Sequence, residues 1–292
     1  MTSLSSTSPA GVTRTWTQWP KLWRCPVRRI DRVFKQLKAK GEKAFIPFIT
    51  AGDPDLATTR ALALEMAARG ADILELGVPF SDPLADGPTI QAASNRAMQG
   101  GVHLEDVLKL AGSIRRDTQI PLILMGYYNP ILQYGLERTA AEAAAQGVDG
   151  FIIPDLPPEE AGPWRVAAAK AKIATIFLAA PTSGAERIRT LGRLTKGFLY
   201  YVSVTGITGA RTELPPDLAA SLKEVRSLVK CPVAVGFGIS TPEQVAALAP
   251  YVDGVVVGSA IVQRVATLRG PELIKEVGDF IAALKAPLRA TK

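Results

Sequence analysis

From residue 30 onwards, short apolar runs alternate with longer stretches whose apolar residues recur at helical spacing. Short apolar runs between polar turns are typical of buried strands, and apolar residues three and four positions apart are typical of helices. The runs predict eight strands, at residues 44–50, 73–76, 122–125, 150–153, 175–178, 198–202, 233–235 and 254–257. The stretches between them predict helices at residues 57–69, 104–116, 135–146, 158–171, 185–194, 216–229, 242–248 and 271–285.

The order of these elements favours a (β/α)8 TIM barrel. Continuous apolar strands separated by helices indicate a parallel sheet that helices cover on the outside. Eight strand–helix units in about 250 residues is the number found in this barrel, whose sites lie on the loops after the strands. A doubly wound open sheet is the alternative, although no Gly-x-Gly-x-x-Gly sequence follows the first strand. No second domain or linker is visible, so residues 29–292 are predicted to form one domain.

An additional helix is predicted before the first strand. Ile30, Val33, Phe34 and Leu37 fall on one face of the stretch, and Gly41 is a stop signal after it. We expect this amphipathic helix to cover one end of the barrel core.

Residues 1–28 have no helical or strand period and are rich in Ser and Thr. An Arg-bearing, acid-free start of this kind is similar to an organelle transit peptide. A disordered extension or a misplaced start codon are the alternatives.

The net charge of +7 is concentrated at the N-terminus. The first 30 residues hold five basic and no acidic residues, which leaves 29 basic against 27 acidic residues in the rest of the chain. A groove for a nucleic-acid backbone is therefore not expected. The apolar runs are also too short to span a bilayer.

The few histidines and cysteines exclude several kinds of chemistry. His103 is the one histidine and is expected in the solvated first turn of a helix, which leaves little for a His base, a Ser-His triad or a His-bound metal. Cys25 and Cys231 form neither a disulfide framework nor a metal-ligand spacing, and they suit a reducing compartment. No metal is predicted.

The stretch ILELGVPFSDPLADG, residues 73–87, carries the candidate chemistry. Glu75 interrupts an apolar strand, where a buried carboxylate is expected to face a cavity because an unpaired charge in an apolar core is costly. Asp86 follows 11 residues later in the next loop. Two carboxylates at one strand end can form a general acid/base pair. The alternative is that Glu75 pairs with a Lys or Arg and Asp86 caps the next helix.

Three later loops also suggest a binding site. Residues 203–214 are rich in Gly and hydroxyl residues and predict a lid. GFGIS, residues 236–240, and VGSAIV, residues 257–262, follow the last two strands, and Gly258 and Ser259 start a predicted short helix. Small residues at a helix N-terminus let backbone N–H groups approach a phosphate. In (β/α)8 barrels the loops after strands seven and eight often form the phosphate site. The alternative is that these glycines only turn tight corners.

With these motifs in order, the chain resembles the tryptophan synthase alpha chain family. The matching motifs are PFITAGDP (47–54), LELGVPFSDPLADGPTIQ (74–91), YYNPI (127–131), PDLPPEE (154–160), TGITGAR (205–211), GFGIS and VGSAIV. The resemblance extends over about residues 30–285, and the long motif is highly specific. It implies a (β/α)8 barrel with an added N-terminal helix. It also implies a carbon–carbon lyase that cleaves indole-3-glycerol phosphate into indole and glyceraldehyde 3-phosphate in tryptophan biosynthesis.

The resemblance also implies roles for individual residues. Glu75 would be the acid/base at indole C3 and the glycerol hydroxyl, and Asp86 would bind the indole N–H. Further substrate or phosphate contacts are implied for Phe48, Tyr127, Asp155, Tyr200, Thr208, Gly209, Phe237, Gly238, Gly258 and Ser259. Ordinary barrel core is the alternative for the aromatic residues Phe48, Tyr200 and Phe237, and capping of the following helix is the alternative for Asp155.

The family works with a beta chain that uses pyridoxal phosphate, in an alpha2beta2 tetramer. The loop with Ser81, Asp82 and Pro83 would face that partner, and this chain itself would need no cofactor. The implied location is the bacterial cytoplasm, with a plastid as the alternative because of residues 1–28. Three other functions stay open: an isomerase or decarboxylase of another sugar phosphate, a stand-alone indole-releasing lyase, and a non-catalytic activating subunit.

Overall fold

The computed structural model describes residues 29–202, 217–236 and 238–290. Its strands are β1 Ala44–Thr50, β2 Leu74–Gly77, β3 Leu122–Met125, β4 Gly150–Ile152, β5 Ala174–Ile176, β6 Leu178–Ala179, β7 Leu199–Val202, β8 Val233–Gly236 and β9 Gly254–Val257. Its α-helices are α1 Arg29–Lys40, α2 Leu56–Ala68, α3 Pro88–Gln99, α4 Leu104–Arg115, α5 Tyr128–Tyr134, α6 Leu136–Ala145, α7 Gly162–Lys170, α8 Ala185–Leu194, α9 Leu218–Leu228, α10 Pro242–Leu248, α11 Ser259–Thr267 and α12 Gly270–Lys285.

The strands form one parallel sheet in the order β5-β4-β3-β2-β1-β9-β8-β7-β6. The two ends of this order, β5 and β6, are halves of one chain segment that is interrupted at Phe177. The sheet therefore closes into the predicted (β/α)8 barrel, with helices around it. The prediction of a single strand at 175–178 was wrong, since this segment forms the two short strands β5 and β6. They are interrupted because the Phe177 N–H donates to the Thr195 hydroxyl at 3.1 Å.

Two helices were missed by the sequence analysis. α3 and α5 lie within loops after β2 and β3, where the apolar spacing predicted no helix; only the alternative role of Asp86 as a cap implied one. The buried face of α3 consists mostly of small residues, and α5 has only seven residues and contains Pro130. Both therefore have weak apolar periodicity. The helix predicted from residue 158 begins later, at Gly162.

The barrel has two apolar layers because side chains alternate along each strand. One layer fills the space between the sheet and its helices, and the other fills the barrel interior. α1 closes the interior at the N-terminal ends of the strands, as predicted, with Ile30, Phe34 and Leu37 buried. The Phe34 and Phe198 rings lie 5.6 Å apart. The opposite end, at the C-terminal ends of the strands, stays available for a site.

A buried ion pair fastens the last helix to the start of the sheet. Lys285 of α12 is 4% exposed, and its ammonium lies 2.7 Å from the Asp72 carboxylate and 3.0 Å from the Lys43 carbonyl. Asp72 also accepts the Phe45 N–H. Burial raises the pKa of Asp72, and Lys285 opposes that rise. Across the described ranges, no helix is long and apolar enough to cross a membrane.

Candidate active site

The period of β2 places Glu75 inside the barrel. Leu74 and Leu76 point into the outer layer, whereas Glu75 lies between Phe48 of β1 and Ile123 of β3 in the register of the sheet. Glu75 is 1% exposed. The strand therefore holds a carboxylate rigidly near its carboxyl end, as the sequence predicted.

The Glu75 carboxyl group has the environment of a proton donor. Its Oε2 atom is buried and has no hydrogen-bond partner among the described residues. Burial, and then the charge of Asp86, raise the pKa of Glu75 to about 8. A carboxyl group with this pKa is mostly protonated at neutral pH. No cation of the described residues acts on the Glu75 carboxyl group, so the alternative of an ion pair with Lys or Arg is wrong for that part of the chain.

Asp86 enters the same space from the loop before α3. Burial raises its pKa to about 6, and a hydrogen bond from the Tyr127 hydroxyl opposes that rise. Gly87, not Asp86, is the N-cap of α3, so the alternative role as a helix cap is wrong. Asp86 is therefore mostly ionised at neutral pH while Glu75 is mostly protonated, which is the separation that an acid/base pair requires.

Tyr127 supports the Asp86 loop. Besides its bond to Asp86, its hydroxyl accepts the Ala85 N–H at 3.0 Å, and its ring stacks on Phe80 with centroids 5.2 Å apart. Burial and the nearby Asp86 charge raise the pKa of Tyr127, so the phenol stays a donor. Tyr127 was predicted to contact the ligand, but the structure places its hydroxyl against the loop that carries Asp86.

The two carboxyl groups line the same cavity at the C-terminal end of the barrel. Seven predicted site residues line it: Phe48, Glu75, Asp86, Tyr200, Gly238, Gly258 and Ser259. Burial and the charges of both carboxyl groups raise the pKa of Tyr200 well above its usual range. A Cβ at Gly77 would lie 2.5 Å from the Phe48 ring, so glycine leaves room for this wall.

The far side of the cavity has the features of an anion site. Gly258 is the N-cap of α11, and Ser259 is its first residue. The Gly258 carbonyl accepts the Ile261 and Val262 N–H groups, while the first N–H groups of a helix point outward without intrahelical partners. Gly238 has φ +80°, a conformation that favours glycine. Helix dipole and backbone N–H groups together favour a phosphate here.

Of the other predicted positions, Asp155 does not line the cavity, and three lie outside the described residues. Asp155 lies elsewhere, where its carboxylate accepts the N–H of Tyr128, the first residue of α5, at 2.9 Å. Capping of the following helix was wrong for Asp155, because α7 begins only at Gly162. Thr208, Gly209 and Phe237 lie outside the described residues, as does the predicted lid at 203–214.

Four apolar residues of the cavity wall were missed: Ile90, Met125, Ile239 and Val256. Two of them could have been predicted from the alternation of side chains along a strand. Met125 in β3 and Val256 in β9 face the barrel interior, and their neighbours face outward. Ile90 belongs to α3, which was not predicted. In the described ranges, no group of three or more His, Cys, Asp or Glu residues could hold a metal ion.

Comparison with known proteins decides the family. The family model of the tryptophan synthase alpha chain matches residues 34–285. The chain belongs to the tryptophan synthase alpha chain family. Its curated relatives include the tryptophan synthase alpha chain of Geotalea uraniireducens, which is 53% identical over 90% of this chain and 98% of that protein. The alpha chain of Citrifermentans bemidjiense is 52% identical over 88% and 96%.

Solved structures of the tryptophan synthase alpha chain family have the same fold. The alpha subunit of Legionella pneumophila superposes with a TM-score of 0.83 at 38% identity, over 90% of this chain and 99% of that chain. A tryptophan synthase structure of Mycobacterium tuberculosis gives 0.83 at 36% identity, over 91% and 100%. The predicted resemblance, the barrel, the lyase class and the role in tryptophan biosynthesis are thereby confirmed.

Proposed function

We propose that Glu75 and Asp86 carry out the retro-aldol cleavage of indole-3-glycerol phosphate to indole and glyceraldehyde 3-phosphate. The observation that carries this proposal is a buried Glu75 carboxyl group with a pKa of about 8 that shares a cavity with an Asp86 carboxyl group with a pKa of about 6. Their different protonation states at neutral pH supply both a proton donor and an anion.

The two groups have separate tasks in the reaction. Protonated Glu75 gives its proton to indole C3, and the positive charge that forms at N1 is stabilised by the Asp86 carboxylate. The Glu75 carboxylate then takes the proton of the glycerol hydroxyl, and the carbon–carbon bond breaks. Its electron pair restores the indole ring while the hydroxyl carbon becomes the aldehyde. One proton enters and one leaves, so Glu75 regains its starting state.

The remaining cavity residues bind and orient the substrate in this proposal. Phe48 and Tyr200 are walls beside the indole ring, and Gly238, Gly258 and Ser259 present backbone N–H groups to the phosphate. Thr208, Gly209 and Phe237 stay predictions for the same site. Tyr127 is assigned to holding the Asp86 loop because of its bonds to Ala85 and Asp86.

The proposed partner is a tryptophan synthase beta chain. Ser81 and Asp82 of the loop after β2 are exposed, and Leu84 is 93% exposed. These exposed side chains belong to the loop that carries Asp86, and in this proposal they form part of the surface that the partner covers. In this proposal pyridoxal phosphate belongs to the beta chain, and the cleavage step needs no cofactor in this chain.

We propose the bacterial cytoplasm as the location. The relatives named above are bacterial, so the plastid alternative gains no support from them. Residues 1–28, on which that alternative depended, lie outside the described residues and before the family match.

The experiment measures indole release from indole-3-glycerol phosphate by the wild type, Glu75→Gln and Asp86→Asn, with and without a cognate beta chain and serine. We expect slow release by the wild type alone, a large rise with the partner, no release by Glu75→Gln, and a much lower but measurable release by Asp86→Asn. The control Glu224→Gln changes an exposed carboxylate on α9 and should keep wild-type release. Near wild-type cleavage by Glu75→Gln would overturn its assignment. Fast release without a response to the partner would indicate a stand-alone lyase.

The proposed roles also predict how cleavage depends on pH. Asp86 must be ionised and Glu75 protonated, so kcat/KM should rise through about pH 6 and fall through about pH 8. Steady-state rates from pH 5 to 9 test this. A profile that keeps rising above pH 8 would contradict the role of Glu75 as the initial acid.

A further inference from the structure

The backbone of Asp86 is fastened to the first turn of α3. The Gln91 side chain donates to the Asp86 carbonyl at 2.8 Å, and the Ile90 and Gln91 N–H groups bond to the Gly87 carbonyl. Ile90 also lines the cavity. A movement of α3 therefore moves Asp86 and one wall of the cavity together.

The other end of α3 is held by a two-point ion pair. Arg96 donates from Nε to Asp53 Oδ1 and from Nη2 to Asp53 Oδ2, both at 2.8 Å. Asp53 is 2% exposed, whereas the Arg96 side chain is 33% exposed. A guanidinium group that meets both oxygens of a carboxylate fixes an orientation as well as a distance.

The turn that carries Asp53 is itself rigid. Gly52 has φ +88°, and a Cβ there would lie 2.6 Å from Val102. The Gly52 N–H donates to the Thr59 hydroxyl of α2 at 3.0 Å, and the Asp53 N–H donates to the Thr50 carbonyl at the end of β1. Arg96 therefore connects α3 to a turn that hydrogen bonds hold to β1 and α2.

The geometry of α3 converts a small tilt into a displacement at the site. Nine residues separate Gly87 from Arg96, which corresponds to about 14 Å along a helix. A tilt of about 5° would move the Asp86 end by roughly 1 Å, and a misplacement of that size can cost about 100-fold in rate. Neither Asp53 nor Arg96 is among the described residues that line the cavity.

We propose that Asp53 and Arg96 are positioning residues, whose two-point ion pair holds α3 so that Asp86 and Ile90 are correctly placed for cleavage. This inference rests on the function proposed for Asp86. Neither residue touches the substrate. Their effect on the rate passes through α3.

The test compares Arg96→Met with Arg96→Lys, which keeps the charge but loses the two-point contact. We expect Arg96→Met to lower kcat for indole release about 100-fold with KM changed less than about threefold, because α11 is untouched. Arg96→Lys should recover at least part of the rate. Arg60→Met is the matched control, since Arg60 is 39% exposed and pairs with Asp117. It should leave kcat unchanged.

A double-variant cycle separates positioning from general loosening of the fold. If Arg96 acts through Asp86, Arg96→Met should cost much less in the Asp86→Asn background than in the wild type. The proposal is overturned if the double variant loses kcat by the product of the two single losses, or if Arg96→Met keeps the wild-type kcat. If Arg96→Met does not fold, Asp53→Asn or Arg96→Lys takes its place in the same cycle. An inactive wild type or a fully active Asp86→Asn variant would instead refute the proposed function, and with it this inference.

Discussion

Glu75→Gln should make the protein more stable at alkaline pH. Glutamine keeps the shape of the side chain but cannot ionise, and in the wild type the ionised form is disfavoured by burial and by Asp86. Below about pH 4.5, Glu75 is protonated in both the folded and the unfolded chain, so its ionisation does not lower the free energy of unfolding. As the pH rises, the unfolded chain ionises first, so stability is lost until the folded group ionises near pH 8.

The size of this effect follows from the change in pKa. A rise from 4.5 to about 8 corresponds to roughly 5 kcal/mol over the full pH range. Between pH 5 and pH 9 the stability of Glu75→Gln relative to the wild type should therefore increase by roughly 4 kcal/mol. The buried amide itself can cost about 1–3 kcal/mol, but that cost does not depend on pH.

The assay is urea-induced unfolding, followed by circular dichroism at unit steps from pH 5 to 9 and constant ionic strength. Glu224→Gln, at an exposed carboxylate on α9, should show no comparable change with pH. In an Asp86→Asn background the gain should be smaller, because the Asp86 charge no longer raises the pKa of Glu75. A stability difference between Glu75→Gln and the wild type that stays constant from pH 5 to 9 would refute the reasoning.

Three further substitutions test other parts of the molecule. Tyr127→Phe removes a hydrogen bond that lowers the pKa of Asp86, so the ascending limb of the kcat/KM profile should move above pH 6; an unmoved limb would contradict this. Lys285→Met leaves Asp72 buried without its cation and should cost about 3–5 kcal/mol of unfolding free energy at pH 8, and less near pH 4, by urea titration. Phe34→Ala should cost about 3–5 kcal/mol while kcat is retained, since α1 lies at the opposite end of the barrel.

The sequence predicted the barrel and Glu75 for a physical reason that also sets the limit of such predictions. Strands buried on both faces appear as continuous apolar runs, so a carboxylate within one of them, such as Glu75, stands out. α3 lacks this contrast, because its buried residues after Ile90 are Ala93, Ser94 and Ala97. Small residues at helical spacing fit a helix close to the sheet but carry little apolar signal.

Contacts between distant residues were not predictable from local patterns. Asp53 and Arg96 are 43 residues apart, and neither stands out in the sequence around it. The hydrogen bond from Ala85 to Tyr127 was not predictable for the same reason, since it depends on how two loops meet above the sheet. The interruption at Phe177 depends on the Thr195 hydroxyl, 18 residues further along the chain.

The order of three strands sets the distance between the two ends of the proposed site. Glu75 is on β2, β1 is its neighbour, and β9 follows on the other side of β1. Phe48 pairs with Glu75 and Pro47 with Val257, so Gly258 stands beside Phe48. Adjacent strands lie about 4.8 Å apart, so the backbone at Glu75 and the proposed phosphate turn are separated by about 10 Å. Backbone hydrogen bonds hold this span, so we expect a redesign of the cavity walls to change which ring binds and to leave the distance between the two ends of the proposed site unchanged.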